Sequence, residues 1–188
     1  VAGLSNFYFF YMIGIFMVLY AIFRYFQQYS VRSLKNVGKW IGIFAVYSLI
    51  AVMIAAVILL PVILPVFGTD RFKVENYVPL LYDKIYYEKY LGCLIGENMV
   101  HWGVAGYSAI SMAGVFVLFS KRKKYTTLKA GFVLLNIFLL VPYAGHALNG
   151  FSYVCNRWIW AYGMLISYIF VKIYPELFSL TLKEKRKI

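Results

Sequence analysis

Charge is scarce in this chain. Only 14% of its 188 residues are Asp, Glu, Lys or Arg, and seven of those are acidic, against 63% apolar and 20% aromatic residues. A water-soluble domain of this size cannot bury so much apolar surface, so the composition excludes one and leaves an integral membrane protein. Cysteine is nearly absent as well. Two residues, Cys93 and Cys155, cannot build a disulfide framework, though one bridge between them stays open. Histidine is equally rare. His101 and His146 lie far apart and belong to no spaced ligand set, so no cofactor is identified; a divalent metal is left open without residues to hold it. The chain lacks a glycine-rich phosphate loop with a lysine, a serine elbow and a kinase-like motif set, which leaves nucleotide hydrolysis and serine chemistry unsupported.

What is abundant is apolar sequence. It falls into five blocks, roughly 7–26, 40–67, 102–119, 125–143 and 158–174, each near the ~20 residues that cross hydrocarbon as a helix. The blocks lack the polar alternation of barrel strands, and backbone groups in lipid must pair internally, so the expected fold is all-α: a polytopic transmembrane helix bundle of about five spans. With no repeat and no composition break, residues 1–188 read as a single transmembrane domain with a connecting loop at 68–101. The first block lacks a basic leader and a cleavage site, which makes it a true span. The chain starts with Val1 and reads as an internal fragment of something longer.

Basic residues set the expected topology. Arg24, Arg32, Lys35 and Lys39 follow the first span, Lys121 to Lys124 with Lys129 join the third and fourth, and Lys172, Lys183, Lys185, Arg186 and Lys187 close the chain. Fourteen of the nineteen bases therefore fall on one side, the cytoplasmic side by the positive-inside rule. The N-terminus and the loop at 68–101, which holds five acids and four bases, are expected outside, and the C-terminus inside. Beside spans, the lysine clusters face anionic lipid rather than nucleic acid, which is not expected as a partner.

The polar chemistry concentrates in the turn Asn149-Gly150-Phe151-Ser152-Tyr153-Val154-Cys155-Asn156-Arg157-Trp158. A planar, permanently charged guanidinium at a membrane boundary is suited to gripping a phosphate. The plainer reading is an interfacial anchor, with Arg157 snorkelling and Trp158 in the aromatic belt. Gly103, Gly106, Ala109, Ala113 and Gly114 give the third span a face for close helix approach. Pro61 and Pro65 should kink or unwind the end of the second. Asn136 reads as a helix–helix hydrogen bond before a pore contact. In the loop, Asp70, Arg71, Lys73, Glu75, Asp83, Lys84, Glu88, Lys89 and Glu97 read as solvated charges, with His101 after them. Tyr82, Tyr86 and Tyr90 make a stripe on a helix, either an interfacial belt or a stacking surface for sugars, while Lys84 and Glu88 are placed to pair.

Leu4-Ser5-Asn6-Phe7-Tyr8-Phe9-Phe10-Tyr11-Met12-Ile13-Gly14-Ile15-Phe16 and Asn149-Gly150-Phe151-Ser152-Tyr153 with Asn156-Arg157-Trp158 resemble the bacterial YfhO membrane-protein family. Both motifs stand in the family's order, and the resemblance covers nearly the whole chain. It implies a GT-C-like polytopic glycosyltransferase in the bacterial cell membrane. Such an enzyme moves a sugar from a polyprenyl-phosphate carrier to an envelope polymer, such as teichoic acid, on the outer face. By that resemblance Asn149, Asn156, Arg157 and Trp158 bind the lipid phosphate or sugar, and membrane lipid, the polyprenyl-linked sugar and the envelope acceptor are the partners. The catalytic acid of such enzymes is expected upstream of this fragment, so the fragment alone is expected to be inactive. The rival reading is a transporter or flippase-like bundle, with the proline-broken second span and Asn136 lining a path; a non-catalytic membrane scaffold is a third.

Overall fold

The computed structural model describes residues 7–28, 34–68, 77–95, 106–121 and 124–180, and the chain divides into two compact units, Val1–Glu75 and Asn76–Ile188. Ser5, Asn6, Asp70, Arg71, Lys73, Glu75, Glu97, His101, Gly103 and the basic tail beyond residue 180 lie outside the described residues. Within them the chain is a membrane helix bundle by class: all regular structure is α-helical.

The first unit holds α1 (Phe7–Gln28) and α2 (Leu34–Phe67). Both are long and apolar enough to cross a membrane, over Phe9–Gln27 and Lys35–Pro61 respectively. Helices apolar on all sides suit a lipid surround rather than water. Between the end of α1 and the start of α2, the rings of Tyr25 and Trp40 lie 5.5 Å apart, and Trp40 stacks on Phe44 at 5.8 Å. The helix does not unwind at Pro61 and Pro65: α2 stays helical through both and closes with the Gly68 amide donating to the Pro65 carbonyl at 3.1 Å. Transmembrane helices tolerate proline where neighbouring groups re-satisfy the freed backbone. At 34 residues α2 is about 51 Å long, well beyond a ~30 Å hydrocarbon core, so its proline-bearing end extends past the apolar window.

The second unit holds α3 (Lys84–Ile95), α4 (Ser111–Ser120), α5 (Thr126–Leu140), α6 (Pro142–Leu148) and α7 (Ile159–Leu177). Here the expected apolar blocks divide between helices as follows. The described part of the third block is helical only from Ser111, after Gly106 in the left-handed region (φ 65°) and a turn at Ala109–Ile110, which leaves a helix of 10 residues. The fourth block is not one helix but two, bent by 97° between Leu140 and Pro142. Proline has no N–H to give and pushes the residue before it out of the helical region, and Val141 is accordingly extended (φ −117°, ψ 118°). The fifth block falls in a single 19-residue helix, Ile159–Leu177. Among the described residues, two helices qualify as spans, or three if the bent pair counts as one.

Two helices meet closely in the second unit. Gly114, buried on α4, sits so near α7 that a Cβ there would lie 3.0 Å from the Cα of Phe170. The small-residue face expected on the third span therefore works through Gly114, while Ala109 and Ala113 are exposed. Ile166, Ile169 and Ile173 of α7, with Val117 and Leu118 of α4, are almost wholly buried.

Candidate functional site

The turn between α6 and α7 is shaped by backbone before side chains. Gly150 (φ 67°) and Phe151 (φ 57°) both adopt the left-handed conformation that ends a helix, and the Phe151 amide returns to the His146 carbonyl at 3.0 Å. Asn149 follows α6, 4% exposed, and its Nδ2 donates to the Tyr153 carbonyl at 2.8 Å. The turn then alternates. Cys155, Asn156 and Trp158 are buried, and Arg157 between them is exposed. Trp158 meets Phe138 edge-on at 6.1 Å. α7 begins here without a side-chain cap, so the positive end of its dipole adds to the charge of Arg157.

Asn156 is the pivot beneath that turn. Its Oδ1 accepts from the Tyr82 hydroxyl at 3.4 Å and its Nδ2 donates to the Tyr86 hydroxyl at 3.2 Å. The rings of Tyr82 and Tyr86 stack at 3.9 Å. Tyr86 in turn donates to the Leu139 carbonyl at 2.7 Å, and Tyr87 donates to the Leu140 carbonyl at 3.0 Å. Those carbonyls are in the last turn of α5, where the break turns the following amides away (the Ala144 amide donates to Val141 instead), so two tyrosines from α3 supply donors in their place. A third tyrosine, Tyr90, donates to the Asn136 Oδ1, which also accepts from Tyr162 at 3.4 Å, while Asn136 Nδ2 donates to the Phe132 carbonyl at 2.7 Å. Asn136 is thus an inter-helix hydrogen-bond centre, the first of the two readings its sequence position allowed.

Burial pushes the Tyr82 hydroxyl up to about 12, with smaller opposing help from its bond to Asn156, and raises Tyr86 and Tyr90 as well. All three stay protonated and available as donors across physiological pH. The tyrosine stripe therefore faces inward rather than forming an exposed belt or a sugar platform: Tyr82 and Tyr86 are 7% and 5% exposed. Lys84 and Glu88 pair as spaced, 3.4 Å apart on the outer side of α3.

Gly145 of α6 is the close-approach point that sequence reading missed. A Cβ there would lie 2.9 Å from Asn156 Oδ1, 3.2 Å from the Cys155 carbonyl and 3.3 Å from the Tyr82 hydroxyl. Its signal was only a glycine four residues before Asn149. Tyr87 was missed too, because it falls off the four-residue repeat.

Of the four residues expected to bind phosphate, Asn149 and Asn156 spend side-chain groups inside the fold, Trp158 is wholly buried, and Arg157 is the one that faces out. Cys93 and Cys155 are free thiols, so no bridge joins them. Among the described residues no group of His, Cys, Asp and Glu is placed to hold a metal.

No curated protein and no solved structure matches the chain. The family described as bacterial membrane protein YfhO matches it over residues 2–186, and with that coverage the chain belongs to this family.

Proposed function

We propose that the chain is part of a membrane glycosyltransferase that transfers a sugar from a polyprenyl-phosphate carrier to a cell-envelope acceptor, such as teichoic acid, on the outer face. The supporting observation is that Arg157 is an exposed residue on a turn whose neighbours are anchored, Asn149 to the Tyr153 carbonyl and Asn156 to two tyrosines. A turn anchored in this way carries Arg157 at a fixed place, and a guanidinium there acts where charge grows as the sugar–phosphate bond breaks.

In the proposed reaction an acceptor hydroxyl attacks the anomeric carbon, its proton passes to a base, and the lipid phosphate leaves with the bonding pair. Arg157 stabilises that departing phosphate. The turn 149–158 contains no carboxylate, so the base comes from elsewhere in the protein. Asn149 and Asn156 hold the turn in register, and Trp158 fixes its depth by packing on Phe138.

The test is transfer of a radiolabelled sugar from a polyprenyl-phosphate donor to envelope polymer in membranes holding the whole protein, beside its Arg157→Ala and Arg157→Lys forms. Loss of about a hundredfold or more in Arg157→Ala at unchanged protein level is expected, with Lys restoring a part. Unchanged transfer in Arg157→Ala would sink the phosphate assignment.

A second reading is favoured by one observation, the 97° break between α5 and α6. Discontinuous helices line substrate paths in transporters. If the intact protein moves no sugar while donor is present on the outer face, transport is the reading to pursue.

A further inference from the structure

α3 joins the second unit differently from its neighbours. Among the described residues α4 and α7 pack along each other, their backbones close at Gly114, whereas α3 lies along no other helix in this manner. Of its twelve residues only Tyr86 and Leu94 are buried. What ties it down is hydroxyl chemistry. Tyr82, Tyr86, Tyr87 and Tyr90 reach across to Asn156, the Leu139 and Leu140 carbonyls and Asn136, and Tyr107 donates to the Leu94 carbonyl at 2.6 Å. Packing beneath these tyrosines is incomplete, because Tyr90 and Cys93 line a cavity of about 20 Å³ together with Leu139 and Ile159. A segment with few buried apolar contacts, held by hydrogen bonds that water can replace, opens at a lower free energy than a packed core.

We infer that Tyr82–Ile95 is a strap that lifts from the bundle as a unit while α4 and α7 stay packed. Lifting breaks the tyrosine bonds. It frees the amide of Asn156, next to Arg157 in the chain, together with the Leu139 and Leu140 carbonyls. The closed strap spends these polar groups inside the fold, and the lifted strap leaves them open to water or to a bound molecule. The inference stands on how α3 is attached and does not rest on the sugar-transfer reading.

The chain carries its own reporter of this motion. Cys155 is wholly buried, and the Tyr82 hydroxyl is near enough to its thiol for the two to interact electrostatically. Both also crowd Gly145, where a Cβ would lie 3.2 Å from the Cys155 carbonyl and 3.3 Å from the Tyr82 hydroxyl. Taking Tyr82 away therefore uncovers Cys155.

The test is labelling by N-ethylmaleimide of the whole protein in nanodiscs, in a Cys93→Ser background, read peptide by peptide by mass spectrometry. Val117→Cys, at a position 1% exposed on α4, reports opening of the packed bundle. Each rate is taken relative to that of the same position in the denatured protein. Cys155 is expected to react about tenfold faster than position 117, or more. Tyr86→Phe should raise the Cys155 rate about tenfold and Tyr87→Phe several-fold, with position 117 unchanged. If Tyr86→Phe fails to fold, Tyr87→Phe decides alone. Equal rates at the two positions overturn the inference, as does an acceleration that both positions share. So does a fast Cys155 that ignores the Phe variants, since some other motion then uncovers it.

Discussion

Replacing Gly145 with alanine adds one methyl group at the most crowded point of the site. The new carbon would stand 2.9 Å from Asn156 Oδ1 and 3.2 Å from the Cys155 carbonyl. The second contact is backbone and cannot swing aside. The first belongs to an amide held by Tyr82 and Tyr86, so relief there breaks the Tyr82–Asn156 bond or shifts the turn that carries Arg157. Overpacking of this kind costs about 1–3 kcal/mol and a lost buried hydrogen bond about 1 kcal/mol. Alanine returns about 0.5–1 kcal/mol as the better helix former, for a net loss of about 1–3 kcal/mol. At roughly 2–4 °C per kcal/mol for a chain of this size, the midpoint of thermal unfolding in detergent, followed by intrinsic fluorescence, should fall by several degrees. Gly131→Ala is the matched control, since its Cβ would meet only Leu165 Cδ2 at an ordinary 3.7 Å and should leave the midpoint level or raised. A Gly145→Ala protein as stable as the Gly131→Ala one would refute the close-approach argument.

Further expectations follow from the same geometry. Gly114→Ala should lower thermal stability and loosen α4 from α7, because its Cβ would press on the Phe170 Cα at 3.0 Å; cysteine cross-linking between the two helices would register the separation. Tyr86→Phe strips a donor from the Leu139 carbonyl and an acceptor from Asn156 together, so it should cost about 1–3 kcal/mol and exceed Tyr87→Phe, which frees the Leu140 carbonyl; paired denaturation curves give the order. Glu176, held below its ordinary value of 4.5, contributes stability that is complete above that value and disappears as pH falls through the lower folded one. Glu176→Gln should abolish that acid-side slope, and a slope left unchanged would assign it elsewhere.

The membrane class and the helical architecture were legible because composition alone forbids a soluble core, and the Lys84–Glu88 spacing reported a helix correctly. The fourth apolar block reads as continuous because hydropathy averages over Val141 and Pro142, whereas the backbone before Pro142 leaves the helical region at Val141. Prolines act differently by place: Pro61 and Pro65 sit in a helix that continues, and Pro142 stands at the start of a new one. The polar turn was visible as a cluster of residue types, but which of them would turn inward was not. That depends on partners such as Tyr82, 74 positions before Asn156. Glu176 carried no signal in the sequence, because the lysines that fold around it, Lys121 and Lys124, lie more than fifty positions earlier.

The helix break at Pro142 also bears on the order in which the protein is made. Exposed carbonyls at a broken helix are costly in lipid, and a nascent segment that reached the bilayer before its donors existed would have to carry that cost. Here the donors come first: Tyr86 and Tyr87 precede the carbonyls of Leu139 and Leu140 by 53 positions in the chain. By the time the ribosome delivers the bend, the segment that stabilises it has already been synthesised, so the break can be closed as it forms.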